Sequence, residues 1–277
     1  MARRLRVAVH KFSSCDGCQL AFLNAGEALL ALAERVELVH FLEAGPADEE
    51  ARVDVAFVEG GVSTREEVER LHRIRDQSRV LVALGACAGS GGLQALRNLA
   101  DGRGWLARSY PHPEWLDALP EVTSLATHVP VDLELPGCPV SGPAALEAAA
   151  AFLRGAPPER PREKVCLECR RRGLACVVVA RGEPCLGPVT EAGCGALCPA
   201  AGRGCYGCYG PAERPATSAL AARLRELGLE PEALARLFLA IHAAAPAFRE
   251  EGLRWRQAAC EARLPPRAGD EPLGAGP

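Results

Sequence analysis

Long hydrophobic runs are missing from this sequence of 277 residues. No window approaches the 18 or more apolar residues that a membrane-spanning helix needs. The N-terminal stretch MARRLRVAVHKFSSC contains basic residues, but its apolar run is too short for a signal peptide and no small-residue cleavage site follows. We therefore expect a soluble, cytoplasmic chain without a membrane span.

A strong net charge is missing as well. The chain has 32 Lys and Arg against 35 Asp and Glu, a formal net charge of −3. This balance gives no reason to expect nucleic acid or an anionic membrane surface as the main partner. Lysine is scarce, since Lys11 and Lys164 are the only two, so the positive charge is almost all arginine.

Cysteine, by contrast, is abundant, with 13 residues. A disulfide-stabilised secreted domain is usually short and follows a signal peptide, and neither condition holds for this chain. In a reducing compartment, clustered cysteines indicate bound metal instead.

The first 155 residues alternate between strand-like and helix-like patterns. Apolar runs predict strands at 5–12, 36–44, 53–61, 79–87 and 132–142, and helical spacing recurs at 19–35, 65–78, 90–101 and 143–155. This alternation predicts a flavodoxin-like, doubly wound parallel sheet over residues 1–155, an α/β fold. The segment 102–131 interrupts the rhythm. Its Trp105, Tyr110 and Trp115 could pack locally or face a partner, and we expect local packing.

The rest of the chain predicts a different organisation. A Pro-rich hinge at 156–163 opens a small, irregular cysteine-rich domain over residues 156–211, where CVVVA (176–180) is the only strand-like stretch. A segment with so little apolar periodicity needs a bound metal for stability. Helical patterns then predict C-terminal helices within 212–262, and residues 263–277 are predicted to form a disordered tail.

Four cysteines are predicted to meet at one edge of the sheet, because ligands of open α/β sheets bind outside the carboxyl ends of the strands. Cys15 and Cys18 follow the first strand, Cys87 ends the fourth, and Cys138 ends the fifth in LPGCP. Glu59 ends the third strand in VEGG at the same edge. Nearby glycines let the backbone approach a bulky group and donate N–H bonds to its sulfurs. Four thiolates suit zinc or a 4Fe–4S cluster.

Simpler interpretations explain less of this pattern. A thioredoxin-like dithiol would account for Cys15 and Cys18 but not for Cys87 and Cys138. Buried cysteines that serve only as small apolar residues fit poorly with four strand ends next to glycine. The segment GACAGSGG (85–92) resembles a phosphate-binding loop but lacks the Lys-Ser/Thr of a P-loop.

A second block supplies eight further cysteines, the number that two more 4Fe–4S clusters require. Cys198 precedes a proline, as in many ferredoxin cluster loops. A zinc site formed by the two Cys-x-x-Cys pairs would leave four of the eight without a role. The order of residues does not decide which cysteine serves which cluster, and we expect Cys260 to be an unligated thiol. The eight are Cys166, Cys169, Cys176, Cys185, Cys194, Cys198, Cys205 and Cys208.

The motifs SCDGCQLAFLN, VEGG, GACAGSGG and LPGCP, in this order, resemble the small subunit of nickel–iron hydrogenases. They are most similar to the cytosolic branch found in complexes with methyl-viologen-reducing, deazaflavin-reducing or NADP-coupled sulfhydrogenase activity. This branch is related to the 20 kDa subunit of NADH–ubiquinone oxidoreductase. The segment from PCLGPVTEAGCGALCP to CYGCYGP resembles the region after the flavodoxin-like domain in the same proteins.

The resemblance implies an electron-transfer subunit with three 4Fe–4S clusters. Cys15, Cys18, Cys87 and Cys138 would bind the proximal cluster, next to the nickel–iron site of a partner large subunit. Glu59 would occupy an acidic position, either on a proton route to that site or as a strand-end carboxylate that caps local N–H groups. The acceptor subunit would be of a flavin, nicotinamide, deazaflavin or disulfide-reductase type.

Two other functions remain open at this point. The iron–sulfur subunit of an NADH–quinone oxidoreductase-like complex shares the expected fold, but that subunit has an adjacent cysteine pair and lacks the second block. A zinc-stabilised binding protein without a redox role would be colourless, and iron and sulfide analysis would identify it.

Overall fold

The computed structural model describes residues 4–156, 158 and 163–262. The predicted tail at 263–277 and most of the predicted hinge lie outside these residues. Within the described ranges, no helix is both long and apolar enough to cross a bilayer.

A five-stranded parallel sheet forms the first half of the chain. Its order, β2-β1-β3-β4-β5, confirms the flavodoxin-like, doubly wound prediction. The order reverses between β1 and β3, so the crevice at their carboxyl ends is where this topology binds ligands. The strands are β1 (Leu5–Lys11), β2 (Val36–Phe41), β3 (Val53–Glu59), β4 (Ser78–Leu84) and β5 (Leu133–Leu135).

Two strand predictions near the site were too long. Strand β4 ends at Leu84 because Gly85 adopts a positive φ of 84°, so Cys87 lies in the following helix and does not end the strand. Strand β5 ends at Leu135, because Pro136 has no N–H and Gly137 has a φ of 133°. Cys138 therefore lies in the loop beyond β5.

Helices cover both faces of the sheet. The predicted helix at 19–35 is two helices, because Gly26 has a φ of 57° and interrupts the backbone between them. The segment Gly92–Leu99 is a 3-10 helix. The helices of this half are α1 (Gly17–Leu23), α2 (Glu27–Ala33), α3 (Arg65–Gln77), α4 (Gly85–Ser90), α5 (Gly102–Ser109) and α6 (Gly142–Leu153).

The strands alternate their side chains between two apolar cores. Val9 and Phe57 contribute to the core beneath α1 and α6. Their neighbours Ala8 and Val58 contribute to the opposite core, with Leu71 of α3. Two buried faces explain why these strands read as nearly continuous apolar runs.

The second half of the chain is built from helices and irregular loops. The prediction of a strand at CVVVA (176–180) is wrong, because residues 177–181 form a helix. The Ala180 N–H donates to the Cys176 carbonyl at 2.8 Å. Gly182, at a φ of 67°, ends the helix. The helices are α7 (Val165–Arg171), α8 (Val177–Arg181), α9 (Leu197–Ala200), α10 (Thr217–Glu226), α11 (Pro231–Phe238) and α12 (Pro246–Glu261).

The cysteine-rich segment and the C-terminal helices share a core. Leu186 and Val189 pack with Leu224, Phe238 and Phe248. The predicted division between residues 211 and 212 remains a prediction about folding units. The expected local packing of the aromatic residues at 102–131 is wrong, because Trp105, Tyr110 and Trp115 are all exposed, although Trp115 stacks on His112.

Glu67 fixes the start of α3 against the loop after β1. Thr64 and Glu67 form a capping box at the N-terminus of this helix. The Glu67 carboxylate also accepts from the Ser63 N–H at 2.6 Å and from the Ser13 hydroxyl at 2.9 Å. One side chain thereby joins the helix to the loop that leads to Cys15.

We expect Glu67→Ala to destabilise the protein by about 2 kcal/mol, because it leaves the buried Ser63 N–H without its acceptor. The apparent Tm of the anaerobic protein, followed by circular dichroism at one scan rate, measures this effect. Glu66→Ala is the matched control, since Glu66 is exposed on the same helical turn. Equal Tm values for the two variants would contradict the role assigned to Glu67.

Candidate metal centres

The loop after β1 carries Cys15 and Cys18 and is anchored to the end of β3. The Phe12 N–H donates to the Glu59 carbonyl, and the Gly61 N–H donates to the Ser13 carbonyl, both at 2.9 Å. A Cβ on Gly60 would lie 2.7 Å from the backbone of Phe12, so only glycine allows this close approach. The two strand ends at the topological switch point thus hold the Cys-x-x-Cys loop.

Glu59 is buried, and its carboxylate binds the segment that carries both cysteines. It accepts from the Ser14 hydroxyl at 2.7 Å and from the Gln19 N–H at 2.9 Å. The Gln19 N–H belongs to the first turn of α1, where backbone N–H groups lack partners within the helix. This geometry matches the capping alternative for Glu59, and the proton route remains a prediction.

Cys18, Cys87 and Cys138 are brought together by glycine. A Cβ on Gly85 would clash with the Cys18 sulfur, so α4 can begin against that sulfur only with glycine at this position. The Ala86 N–H donates to the Gly137 carbonyl at 2.7 Å, which joins the start of α4 to the loop of Cys138. Gly17 lies beside Cys15, where a Cβ would be 3.3 Å from the sulfur.

Burial is the main influence on these thiols. It raises the pKa of Cys87 to about 11, and it also raises the pKa of Cys18 and of Cys138. The charges of other cysteines of the set raise these pKa values further: Cys87 and Cys138 act on Cys18, and Cys15 acts on Cys87 and Cys138. Backbone N–H groups act in the opposite direction: Val140 donates to Cys18, and Leu93 and Gln94 donate to Cys87.

This donor set fits an iron–sulfur cluster. Thiols with backbone N–H groups directed at sulfur, in a cradle that a Cβ would fill, suit a cofactor that requires thiolates and hydrogen bonds to them. Among the described residues, no group of three or more His, Cys, Asp or Glu is spaced to hold a single metal ion.

The second block contains a first group of four neighbouring cysteines: Cys166, Cys169, Cys176 and Cys185. Burial, followed by the charges of Cys185, Cys169 and Cys176, raises the pKa of Cys166 to about 11. The Cys185 sulfur accepts from the Gly187 N–H at 3.4 Å and from the Cys205 N–H at 3.2 Å. Cys176 is exposed, so this group reaches the protein surface.

Cys194, Cys198, Cys205 and Cys208 lie next to the first group and also contact the sheet. Burial raises the pKa of Cys208 to about 11; the Cys138 N–H lowers it, and the charges of Cys194 and Cys198 raise it. Burial also raises the pKa of Cys205 to about 12, where both Cys185 and Cys208 contribute. Cys205 therefore interacts with members of both groups.

Two contacts join this second group directly to the rim of the sheet. The Cys138 N–H donates to the Cys208 sulfur. The Ser141 N–H donates to the hydroxyl oxygen of Tyr209, which is buried. The loop of Cys138 therefore lies directly against a cysteine of the second block.

His242, a residue that the sequence analysis did not single out, provides a further contact. Its Nε2 lies 3.0 Å from the Cys208 carbonyl and its Nδ1 lies 2.8 Å from the Ser90 hydroxyl. Because a carbonyl only accepts, Nε2 carries the proton and Nδ1 accepts from Ser90. His242 thus connects α4, which carries Cys87, to Cys208. No local motif marks this histidine, and only the packing of the 239–245 loop reveals it.

Glu168 is a second residue missed from the sequence. Its carboxylate binds the backbone of the loop that contains Cys194. Its position inside Cys166-Leu-Glu-Cys169 was the only available signal. Cys260, in contrast, is exposed on α12, apart from both cysteine blocks.

Comparisons with known proteins show the family of this chain. Residues 15–152 match the family described as NADH ubiquinone oxidoreductase, 20 Kd subunit. Sulfhydrogenase 2 subunit delta of Pyrococcus furiosus is 35% identical over 207 residues, which cover 75% of this chain and 86% of that protein.

Two solved structures share the fold. The NAD⁺-reducing [NiFe]-hydrogenase in its H2-reduced state contains a chain that is 32% identical, with a TM-score of 0.53 over 57% of this chain and 96% of that chain. The actinobacterial-type NiFe-hydrogenase of Ralstonia eutropha H16 has a TM-score of 0.56 over 99% of this chain and 95% of its own, and at 17% identity it shows the fold alone. The chain therefore belongs to the family of the 20 Kd subunit of NADH ubiquinone oxidoreductase, together with the subunits of multi-subunit hydrogenases.

Proposed function

We propose that this chain is the electron-transfer subunit of a cytoplasmic nickel–iron hydrogenase, located between a large subunit that converts H2 and an acceptor subunit. The observation that carries this proposal is the direct contact between cysteine groups: Cys138 at the rim contacts Cys208, and Cys205 contacts Cys185. A chain that only needed stabilising metal would gain nothing from contact between separate groups of thiols.

The residues divide into three ligand sets in this proposal. Cys15, Cys18, Cys87 and Cys138 hold the proximal 4Fe–4S cluster. Bound clusters would take up and release single electrons, with potentials set by burial and by hydrogen bonds to sulfur. The second set, next to the rim, is Cys194, Cys198, Cys205 and Cys208. The third set, which extends to the surface, is Cys166, Cys169, Cys176 and Cys185.

The order of the three sets follows from their contacts. The second set touches the rim through Cys208, and the third set touches the second through Cys185 and Cys205. Cys176, in the third set, is exposed. Electrons would therefore pass between the rim and the surface at Cys176, where an acceptor subunit would bind.

The large subunit would bind at the rim of the sheet. Cys15 is exposed and Leu20, on the first helix after it, is 45% exposed. A large subunit that covers this edge would remove the apolar surface from water and protect the proximal site. The relatives are named as a sulfhydrogenase subunit and a chain of an NAD⁺-reducing hydrogenase, which supports a multi-subunit assembly but leaves several types of acceptor open.

A second candidate follows from the family itself, since its name is that of a subunit of NADH ubiquinone oxidoreductase. H2-dependent dye reduction by the chain in complex with its large subunit separates the two functions. Quinone reduction without any H2 activity would reject the hydrogenase assignment. A colourless protein that contains zinc, without iron and sulfide, would reject both.

We expect Cys87→Ser to lose or convert the proximal cluster and to uncouple H2 oxidation from dye reduction, because this change alters a ligand that is held close to Gly92. Iron and sulfide content and dye reduction by the complex measure both effects. Cys260→Ser is the matched control, because Cys260 is an exposed cysteine outside every ligand set. Full iron content and full activity in Cys87→Ser would contradict the proximal set.

The division of the second block is tested by Cys176→Ala and Cys198→Ala. Each variant should lose at most about four of roughly twelve iron atoms, since each affects a different cluster. The double variant should lose about twice as much iron as either single variant. If the double variant loses no more iron than a single one, Cys176 and Cys198 serve the same cluster and the division is wrong.

A further inference from the structure

Glu168 has an unusual position for a charged residue. It lies on α7 between Cys166 and Cys169, yet its carboxylate points at a different ligand-bearing loop, residues 193–196. Oε1 accepts from the Gly193 N–H at 2.8 Å and from the Gly195 N–H at 3.1 Å.

The other carboxylate oxygen completes the contact with this loop. Oε2 accepts from the Ala196 N–H at 3.1 Å and lies 3.8 Å from the Cys194 sulfur. Hydrogen bonds to an ionised acceptor are stronger than neutral ones, and three of them fix the loop around Cys194. Glu168, which lies between two cysteines of the third set, thus positions Cys194 of the second set.

The backbone of the loop is shaped around an anion. Gly193 and Gly195 have φ values of 132° and 68°, and Ala196 has a φ of 53° although it is not a glycine. Left-handed backbone at a residue with a Cβ costs free energy, so it persists only where other contacts hold it. Here it turns successive N–H groups toward one point, the concave arrangement that binds anions in proteins. The Glu168 carboxylate is the anion that occupies it.

The charge of Glu168 reaches both cysteine groups. It interacts electrostatically with the thiol of Cys169 in one set and with the thiol of Cys194 in the other. Of the nearby cations, Arg171 forms its ion pair with Glu163 and also interacts electrostatically with Glu168, and Arg172 donates to the Gly195 carbonyl. Among the described residues, no cation pairs with the Glu168 carboxylate.

We propose that Glu168 is a positioning residue that couples the two C-terminal clusters: it holds the Cys194 loop and places one negative charge between both ligand sets. This inference rests on the proposed function. A negative charge beside a cluster disfavours the addition of an electron, so Glu168 lowers the reduction potentials of both clusters. The proximal set contains neither of its contacts and is unaffected.

The test is a redox titration of the full-length, anaerobically purified protein, with each cluster followed by electron paramagnetic resonance. Glu168→Gln keeps the shape and removes the charge, and we expect it to raise both C-terminal potentials and leave the proximal potential unchanged. Glu168→Asp keeps the charge, so both potentials should stay low. Glu183→Gln is the matched control, because Glu183 is an exposed carboxylate two residues from Cys185.

The outcomes separate a coupling role from a purely structural one. If Glu168→Gln moves neither potential beyond Glu183→Gln, or moves only one, the inference is overturned. If Glu168→Gln loses iron, the reduction potentials of Glu168→Asp decide the matter. A raised potential in Glu168→Asp overturns the inference, and unchanged potentials support it. A wild-type protein without iron–sulfur signals would instead reject the proposed function.

Discussion

Close approach of the backbone to buried sulfur is the constraint on which both halves of this chain depend. At the rim of the sheet, α4 begins against the Cys18 sulfur because Gly85 has no Cβ. In the second block, N–H groups of Gly187 and Cys205 point at the Cys185 sulfur. Burial alone favours the protonated thiol, so in the proposed function both the N–H donors and a bound cluster would be needed to stabilise the thiolates. The glycines that interrupt the regular elements are therefore part of the sites.

Two carboxylates follow the same design. Glu59 accepts from the Gln19 N–H and thereby fixes the helix that starts at the Cys-x-x-Cys loop. Glu168 accepts from three N–H groups around Cys194. In each case an anion from one element satisfies the unpaired donors of a ligand-bearing segment from another. Each set is held by contacts between distant parts of the chain, which links the sites to the integrity of the fold.

The two halves of the chain meet at a junction next to the cysteines. Contacts through Cys138, Tyr209 and His242 join the sheet to the second group of cysteines. These contacts involve residues adjacent to the proposed ligands. In the proposed function, these contacts would hold the cluster sites at fixed distances, as a relay of single electrons requires. Cys15 and Cys176 are exposed and would face the partner subunits.

The parallel α/β sheet and the resemblance to hydrogenase small subunits could be predicted from the sequence, because each depends on a local pattern or on motifs in a fixed order. The sequence pattern wrongly predicts a strand at residues 176–180, where three valines favour one, because neighbouring strands that could pair with them are absent from the described part of that segment. It also left the eight cysteines of the second block undivided. The tertiary structure adds the contacts on which the proposed division of these cysteines rests, together with those of Glu168 and His242, since contacts over 25 to 152 residues of separation leave no local signal.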